Sequence, residues 1–236
     1  LEGSDIQFRR ENRLDIALVK NLPLALVFLP ASDIPTFVGE GRVDLGITGQ
    51  DQVAEHDAGV EASRRARSES GDSTPEEVPE EQGCQQLLPL EFGGCKLQVQ
   101  VPVKGTYQTP KDLIGKNIGT SFVHLTEEYF ARLEAEAGHK ITTDGGKRKL
   151  KTKIIELSGS VEAACALGVA DGIVDLVESG ETMKAAGLKA IDTVVDTMAV
   201  LIKSKKPSNP ELVELITKRI QGVISKLLAH TGWECG

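Results

Sequence analysis

The stretch Leu157–Met183, LSGSVEAACALGVADGIVDLVESGETM, decides how this chain is read. Gly172–Val177 (GIVDLV) is an apolar run of strand length; a helix is expected from Ser160 to about Leu167, and another from Gly180 to Ala186. Asp171 and Asp175 stand at the beginning of this strand and inside it. They share a face only if both are regularly extended; Asp171 can instead belong to the preceding turn. Glu178-Ser179-Gly180-Glu181-Thr182 joins the strand to the helix. Backbone N–H groups at such a helix start can point at one phosphate. Gly180 permits close approach, and the Ser179 and Thr182 hydroxyls can add hydrogen bonds. An acidic strand end followed by this loop suits a phosphorylated sugar, with the carboxylate on the ribose hydroxyls and the loop on the 5′-phosphate. A plain helix cap, with Asp175 as a turn residue, is the other reading of the same residues.

Working outward, strands and helices alternate almost throughout. Leu14–Val19 and Leu24–Leu29 read as short buried strands, and Ile34-Pro35 opens a helix that Ser32 or Asp33 can cap and that Gly39 and Gly41 end. Val43–Thr48 is a strand, and Gly49 leads into a helix to about His56. Residues 57–86 carry almost no large aliphatics, with Arg64, Arg65 and Arg67 followed by Glu76, Glu77, Glu80 and Glu81. They read as a mobile insertion, because they bury too little to offset ordering entropy. Cys95–Val103 alternates as a strand, Lys116–Thr120 is another, and Leu125–Ala137 is a helix. The basic run Lys147–Lys153 is expected as an edge strand or hairpin, with a nuclear signal as the alternative. Strands follow at Ile154–Leu157, Thr193–Val195 and Ala199–Lys203, and an amphipathic helix at Pro210–Leu228. The alternation predicts an α/β fold with parallel sheets and helices on both faces, ligands gathering beyond the strands' carboxyl ends.

The 236 residues fit one large domain or two small ones. A net charge of −8 argues against a general grip on nucleic acid or anionic membrane. No apolar run reaches the length needed to span a bilayer. Cys84, Cys95, Cys165 and Cys235 form no C-x-x-C pair, and the N-terminus has no signal character. Reduced thiols in a cytoplasmic protein are the simplest reading.

The long segment also resembles the signature of the ATP phosphoribosyltransferase family, the first enzymes of histidine biosynthesis. All ten constrained positions of that signature are met, by Glu162, Gly168, Ala170, Ile173, Asp175, Leu176, Ser179, Gly180, Thr182 and Met183. Leu22–Val53, Phe92–Leu97, Gly115–Leu125 and Gly180–Leu188 are similar to family segments too, especially of fungal members.

The resemblance implies an α/β fold of two lobes, like type II periplasmic binding proteins, with the active site in the cleft between them. Lobe one is expected at 1–97 plus 190–236 and lobe two at 98–189. It implies transfer of a phosphoribosyl group from 5-phosphoribosyl 1-pyrophosphate (PRPP) to N1 of ATP, with Mg²⁺ held mainly by substrate phosphates. Asp175 then takes the ribose hydroxyls, and Ser179, Gly180, Glu181 (through its backbone) and Thr182 cradle the 5′-phosphate. Asp171 is a further PRPP-side candidate, or a turn or supporting group. Ser160 lies at another helix start that can line the cleft, and Glu162 there is a capping residue or a substrate contact. Thr48-Gly49 and Thr120-Ser121 are candidate ATP-side contacts, with ordinary capping as the alternative. His124 could help remove a proton from the adenine amino group, or could be a surface or capping residue. The family also implies a homo-oligomer inhibited by histidine. Nothing upstream of Asp5 matches its basic N-terminal loop, and nothing beyond Ile216–Ile224 matches the histidine-binding domain of the fungal form. The chain therefore reads as that long form shortened at both ends. Two other readings use the same fold: a non-catalytic binding protein, and a regulatory fragment within a hetero-oligomer.

Overall fold

The computed structural model describes residues 1–10, 14–70, 83–144 and 147–231. In chain order the elements are β1 (Ile16–Leu18), β2 (Ala25–Val27), α1 (Ile34–Gly39), β3 (Leu45–Gly49), α2 (Gln50–Ser70), β4 (Cys84–Pro89), β5 (Cys95–Pro102), β6 (Asn117–Thr120), α3 (Val123–Glu136), β7 (Thr142–Asp144), β8 (Lys147–Lys149), β9 (Lys153–Glu156), β10 (Gly172–Val177), α4 (Glu181–Ala185), β11 (Leu188–Thr197), β12 (Ala199–Ser204) and α5 (Pro210–Thr231). The chain forms two compact units, one of Leu1–Gln52, Glu77–Phe92 and Ala199–Gly236, the other of Val53–Glu76 and Gly93–Met198.

Unit one holds the antiparallel sheet β3-β12-β4 and the antiparallel pair β1-β2. Its core joins Ile6, Val19, Leu90 and Leu201 to Ile216 and Ile220 on the apolar face of α5. Gly46 lets α1 lie close on β3, since a Cβ there would sit 2.6 Å from Ile34 Cγ2 and 2.9 Å from Val38 Cγ2. The strands expected to be buried at 14–19 and 24–29 are three residues each and only half covered. Ala17 is buried, whereas its neighbours Ile16 and Leu18 are 58% and 75% exposed. A two-stranded ribbon alternates its side chains between a covered face and an open one.

Unit two is built on the sheet β11-β5-β10-β6-β9. β10 and β9 both run parallel to β6, while β5 is antiparallel to β10 and to β11. One face packs Leu97, Val99, Ile118 and Val174 against Phe122, Tyr129 and Phe130 of the α3 segment. On the other face Ile173 and Leu188 meet Val161, Ala164 and Ala170. The all-parallel expectation is thus corrected. Among the described residues only β6–α3–β9 joins two parallel neighbours; the long connection from β9 then carries the chain past β6 to β10, on β6's other side.

Three further expectations change. The lobe limits at 97 and 190 give way to unit limits at 92/93 and 198/199, because β11 pairs with β5 from Leu188↔Pro102 to Thr197↔Cys95. The mobile insertion expected at 57–86 is helical through Ser70, and β4 begins at Cys84. Ala58, Ala62 and Ala66 recur every four residues, half-buried along α2, and Arg65 pairs with Glu61 at 3.2 Å one turn away. Residues 71–82 of that insertion lie outside the described residues. The helix expected at 160–167 is only a 3₁₀ turn, Val161–Ala163, followed by turns up to Gly168 at φ +70°. Arg148 and Lys149 of the basic run lie in the hairpin β7-β8.

Candidate active site

The parallel register of unit two brings three loops to one edge of its sheet. Thr120 stands opposite both Glu156 and Val174, so β6 and β9 end side by side and β10 runs on past them to Val177. Beyond them lie Ser121, the stretch Leu157–Ser160, and the loop Glu178–Gly180 leading into α4. This is the position where α/β sheets place ligands.

Asp175 sits one residue past the point where β10 and β6 part. It shares a strand face with Ile173, the face that the 3₁₀ turn Val161–Ala163 covers. It is half-buried, and its Oδ1 accepts the Leu176 N–H at 2.9 Å. Burial pushes its carboxyl up; the Leu176 N–H pulls the other way, and the nearby charge of Glu162 raises it further. The net effect is a carboxyl above its ordinary range.

The loop after β10 turns through a left-handed glycine. Gly180 is left-handed at φ +77°, ψ 4°, and caps α4 without a side chain. Ser179 Oγ accepts the Glu181 N–H at 3.4 Å, and Gly180 O accepts the Lys184 N–H at 3.0 Å. Ser179, Glu181 and Thr182 are exposed, so the two hydroxyls lie at the surface rather than in the core. Nearby, Ser160 is also left-handed, at φ 49°, ψ 39°, without a side-chain cap. A serine held there costs about 1 kcal/mol or more, and such strain clusters at binding sites.

Asp171 is placed differently. One carboxylate oxygen accepts the Tyr107 hydroxyl at 3.1 Å and the other the Asn117 N–H at 3.0 Å. It ties the start of β10 to β6. Thr120 likewise turns inward. Its buried Oγ1 accepts the Phe122 N–H at 2.9 Å and the Thr126 hydroxyl at 3.3 Å, which leaves the exposed Ser121 as the polar side chain of that turn. Thr48 and Gly49 belong to unit one, where the buried Thr48 hydroxyl donates to Ala31 O at 2.8 Å. Both threonines thus fit capping or bracing rather than a hydroxyl offered to ligand. Cys165 is inert packing: burial, aided by Asp171, pushes its thiol up to about 11.

One residue that sequence reasoning missed is Glu55 on α2, whose carboxylate reaches the first turn of α3. Its partners lie about seventy residues away, and no local pattern announces them.

The family model described as HisG: ATP phosphoribosyltransferase matches residues 30–222. The chain is 59% identical over 225 residues to the ATP phosphoribosyltransferase of Yarrowia lipolytica, an alignment covering 95% of this chain and 65% of that protein. It is 54% identical over 226 residues to that of Schizosaccharomyces pombe, covering 95% and 66%. The chain therefore spans just under two thirds of the relatives it matches. Among solved structures it resembles a chain of the ATP phosphoribosyl transferase (HisG:HisZ) complex from Thermotoga maritima, with TM-score 0.63 and 22% identity over 96% of this chain and 90% of that one. It also resembles the substrate binding protein of an amino acid ABC transporter, with TM-score 0.52 and 15% identity over 86% and 77%. At these identities the structural likeness speaks for the fold.

Proposed function

The chain belongs to the ATP phosphoribosyltransferase family, and from that premise we propose that it carries the transferase core that joins PRPP to ATP in the first step of histidine biosynthesis. The observation that carries the reading is a half-buried carboxylate, Asp175, in the second half of β10, two strand residues before the loop Glu178–Gly180 with its left-handed glycine.

In this reading Asp175 accepts hydrogen bonds from the ribose 2′- and 3′-hydroxyls. The backbone of Gly180, Glu181 and Thr182, with the hydroxyls of Ser179 and Thr182, holds the 5′-phosphate. Glu181 acts through its N–H, because its carboxylate would repel the anion. The adenine N1 lone pair of ATP attacks C1 of the ribose as the C1–O bond to pyrophosphate breaks. Pyrophosphate leaves with that electron pair, and the adenine amino group afterwards loses a proton to solvent or a nearby base. N1 is unprotonated at neutral pH, so the protein's task is alignment of two polyanions rather than creation of a strong base. Ser121 is the nucleotide-side contact proposed from unit two.

Mg²⁺ would be held mainly by the substrates' phosphate oxygens, and when bound it would neutralise charge on the pyrophosphate. Among the described residues no helix is long and apolar enough to cross a membrane, in keeping with a proposed cytoplasmic enzyme. Self-association of the chain belongs to the same proposal and is read by sedimentation.

The test is product formation from ATP and PRPP with Mg²⁺ and pyrophosphatase, followed by the ultraviolet absorbance of N1-ribosylated ATP. Calorimetric PRPP binding is measured in parallel. A rise that needs both substrates, lost in Asp175→Ala, is expected. A folded chain with no affinity for PRPP, or an Asp175→Ala variant with wild-type affinity, refutes the site.

A further inference from the structure

Helix α2 reaches the first turn of α3 through two residues one helical turn apart. Glu55 Oε1 accepts the His124 N–H at 2.8 Å, and Oε2 accepts the Leu125 N–H at 2.8 Å. Gly59 lies against the imidazole: a Cβ there would be 2.9 Å from both Cδ2 and Nε2 of His124. The cap residue of α3, Phe122, makes no side-chain capping hydrogen bond of its own. A carboxylate from another helix therefore supplies what a local cap would, accepting from orphan N–H groups at the positive end of the helix.

The turn before α3 belongs to the same hydrogen-bonded unit. Phe122 N–H and the Thr126 hydroxyl both donate to Thr120 Oγ1, and Leu157 N–H donates to Thr120 O at 2.8 Å. Ser121 projects from this turn, exposed, into a cavity of about 390 Å³ that Glu55, His124, Arg65 and Arg148 also line. Movement of the first turn of α3 thus moves Ser121.

We propose that Glu55 is a positioning residue: it tethers the first turn of α3 and so holds Ser121 where the nucleotide substrate meets unit two. The proposal rests on Ser121 being the nucleotide-side contact described above. Glu55 touches no substrate, and its effect on ligand runs entirely through the backbone it caps. The PRPP side is held by other means, namely the β10 register and the left-handed Gly180, so loss of Glu55 acts on one substrate only.

The experiment compares wild type, Glu55→Gln and Glu55→Ala by calorimetry with ATP and, separately, with PRPP. Amide exchange across 122–125 is followed in the same samples. Glu55→Ala is expected to weaken ATP roughly fivefold or more and to leave PRPP within about twofold, because misplacement affects only the contacts it moves. Exchange at His124 and Leu125 rises about tenfold or more, since bonds to a charged acceptor are lost. Glu55→Gln retains one acceptor and falls between the two. Equal loss of both affinities means a general structural role and overturns the inference. So does faster exchange with unchanged ATP affinity, or unchanged exchange. A wild-type chain that binds PRPP but not ATP overturns it while the phosphate-loop reading stands; one that binds neither overturns both.

Discussion

Replacing Gly180 by alanine isolates what the phosphate loop asks of its backbone. Gly180 holds φ +77°, a region an L residue enters only at a cost. Space is not the obstacle. A Cβ built there meets nothing nearer than the Met183 methyl at 3.7 Å and Val177 Cγ1 at 3.8 Å, ordinary contact distances. The penalty is therefore conformational, about 1–2 kcal/mol. Gly180 is partly exposed at the start of a five-residue helix, so the free protein can relax locally, whereas a bound phosphate requires the left-handed form. The strain then appears in binding. At 1.4 kcal/mol per tenfold, Gly180→Ala weakens PRPP by about 5- to 30-fold with little change in melting temperature. Asparagine tolerates the left-handed region better than alanine, so Gly180→Asn recovers part of the loss despite its larger side chain. Calorimetry with PRPP on the three proteins decides it. Alanine binding as tightly as glycine, or asparagine binding worse than alanine, refutes the backbone argument.

Asp175→Asn should lose PRPP affinity yet melt higher than wild type at neutral pH. A carboxyl raised by burial leaves the fold's stability full below the unfolded-state value, and part is lost as pH rises through the raised one; the gain therefore vanishes in acid, which melting curves at pH 3 and pH 7 check. Glu134 behaves oppositely. Burial pushes its carboxyl up, but the Thr152 hydroxyl and the Lys151 and Thr152 N–H groups together outweigh this and hold it low. Its contribution is present above the ordinary carboxylate range and is lost as pH falls through the lowered value. Glu134→Ala strands those donors and should cost about 2–4 kcal/mol in urea unfolding at pH 7. Gly46→Ala forces a methyl into the Ile34 and Val38 side chains and should cost about 1–3 kcal/mol by the same assay.

Much of the fold was legible because its signals are local. Gly172–Val177 is strand as expected, and α4 begins one residue after the glycine expected to open it. α3 and α5 lie within three residues of their apolar patterns. What was missed depended on partners. Residues 57–70 look solvated by composition, yet they are helical, with a small-residue stripe and a Glu61–Arg65 pair that composition does not weigh. Strand direction was missed for a related reason: alternation says that a strand follows a helix, not which neighbour it pairs with, and β11 returns antiparallel beside β5.

The candidate site divides along the same line. A phosphate loop is made of consecutive backbone N–H groups, one glycine and two hydroxyls, so it can be written into five adjacent residues and read from them. The residues assigned to the nucleotide side are single positions after separate strands. Their side chains mean nothing until it is known what else they bond to. Thr48 and Thr120 carry the right chemistry for ligand, but each hydroxyl lies in a hydrogen bond within the protein, one to Ala31 O and the other to Phe122 N–H and Thr126. Asp171 is consumed likewise by Tyr107 and Asn117. Glu55, which carries no motif, is placed by tertiary contact where it can govern the turn that Thr120 only braces. A hydroxyl or carboxylate is available to substrate only when the fold leaves it without a nearer partner, and that condition is set by residues far away in the chain.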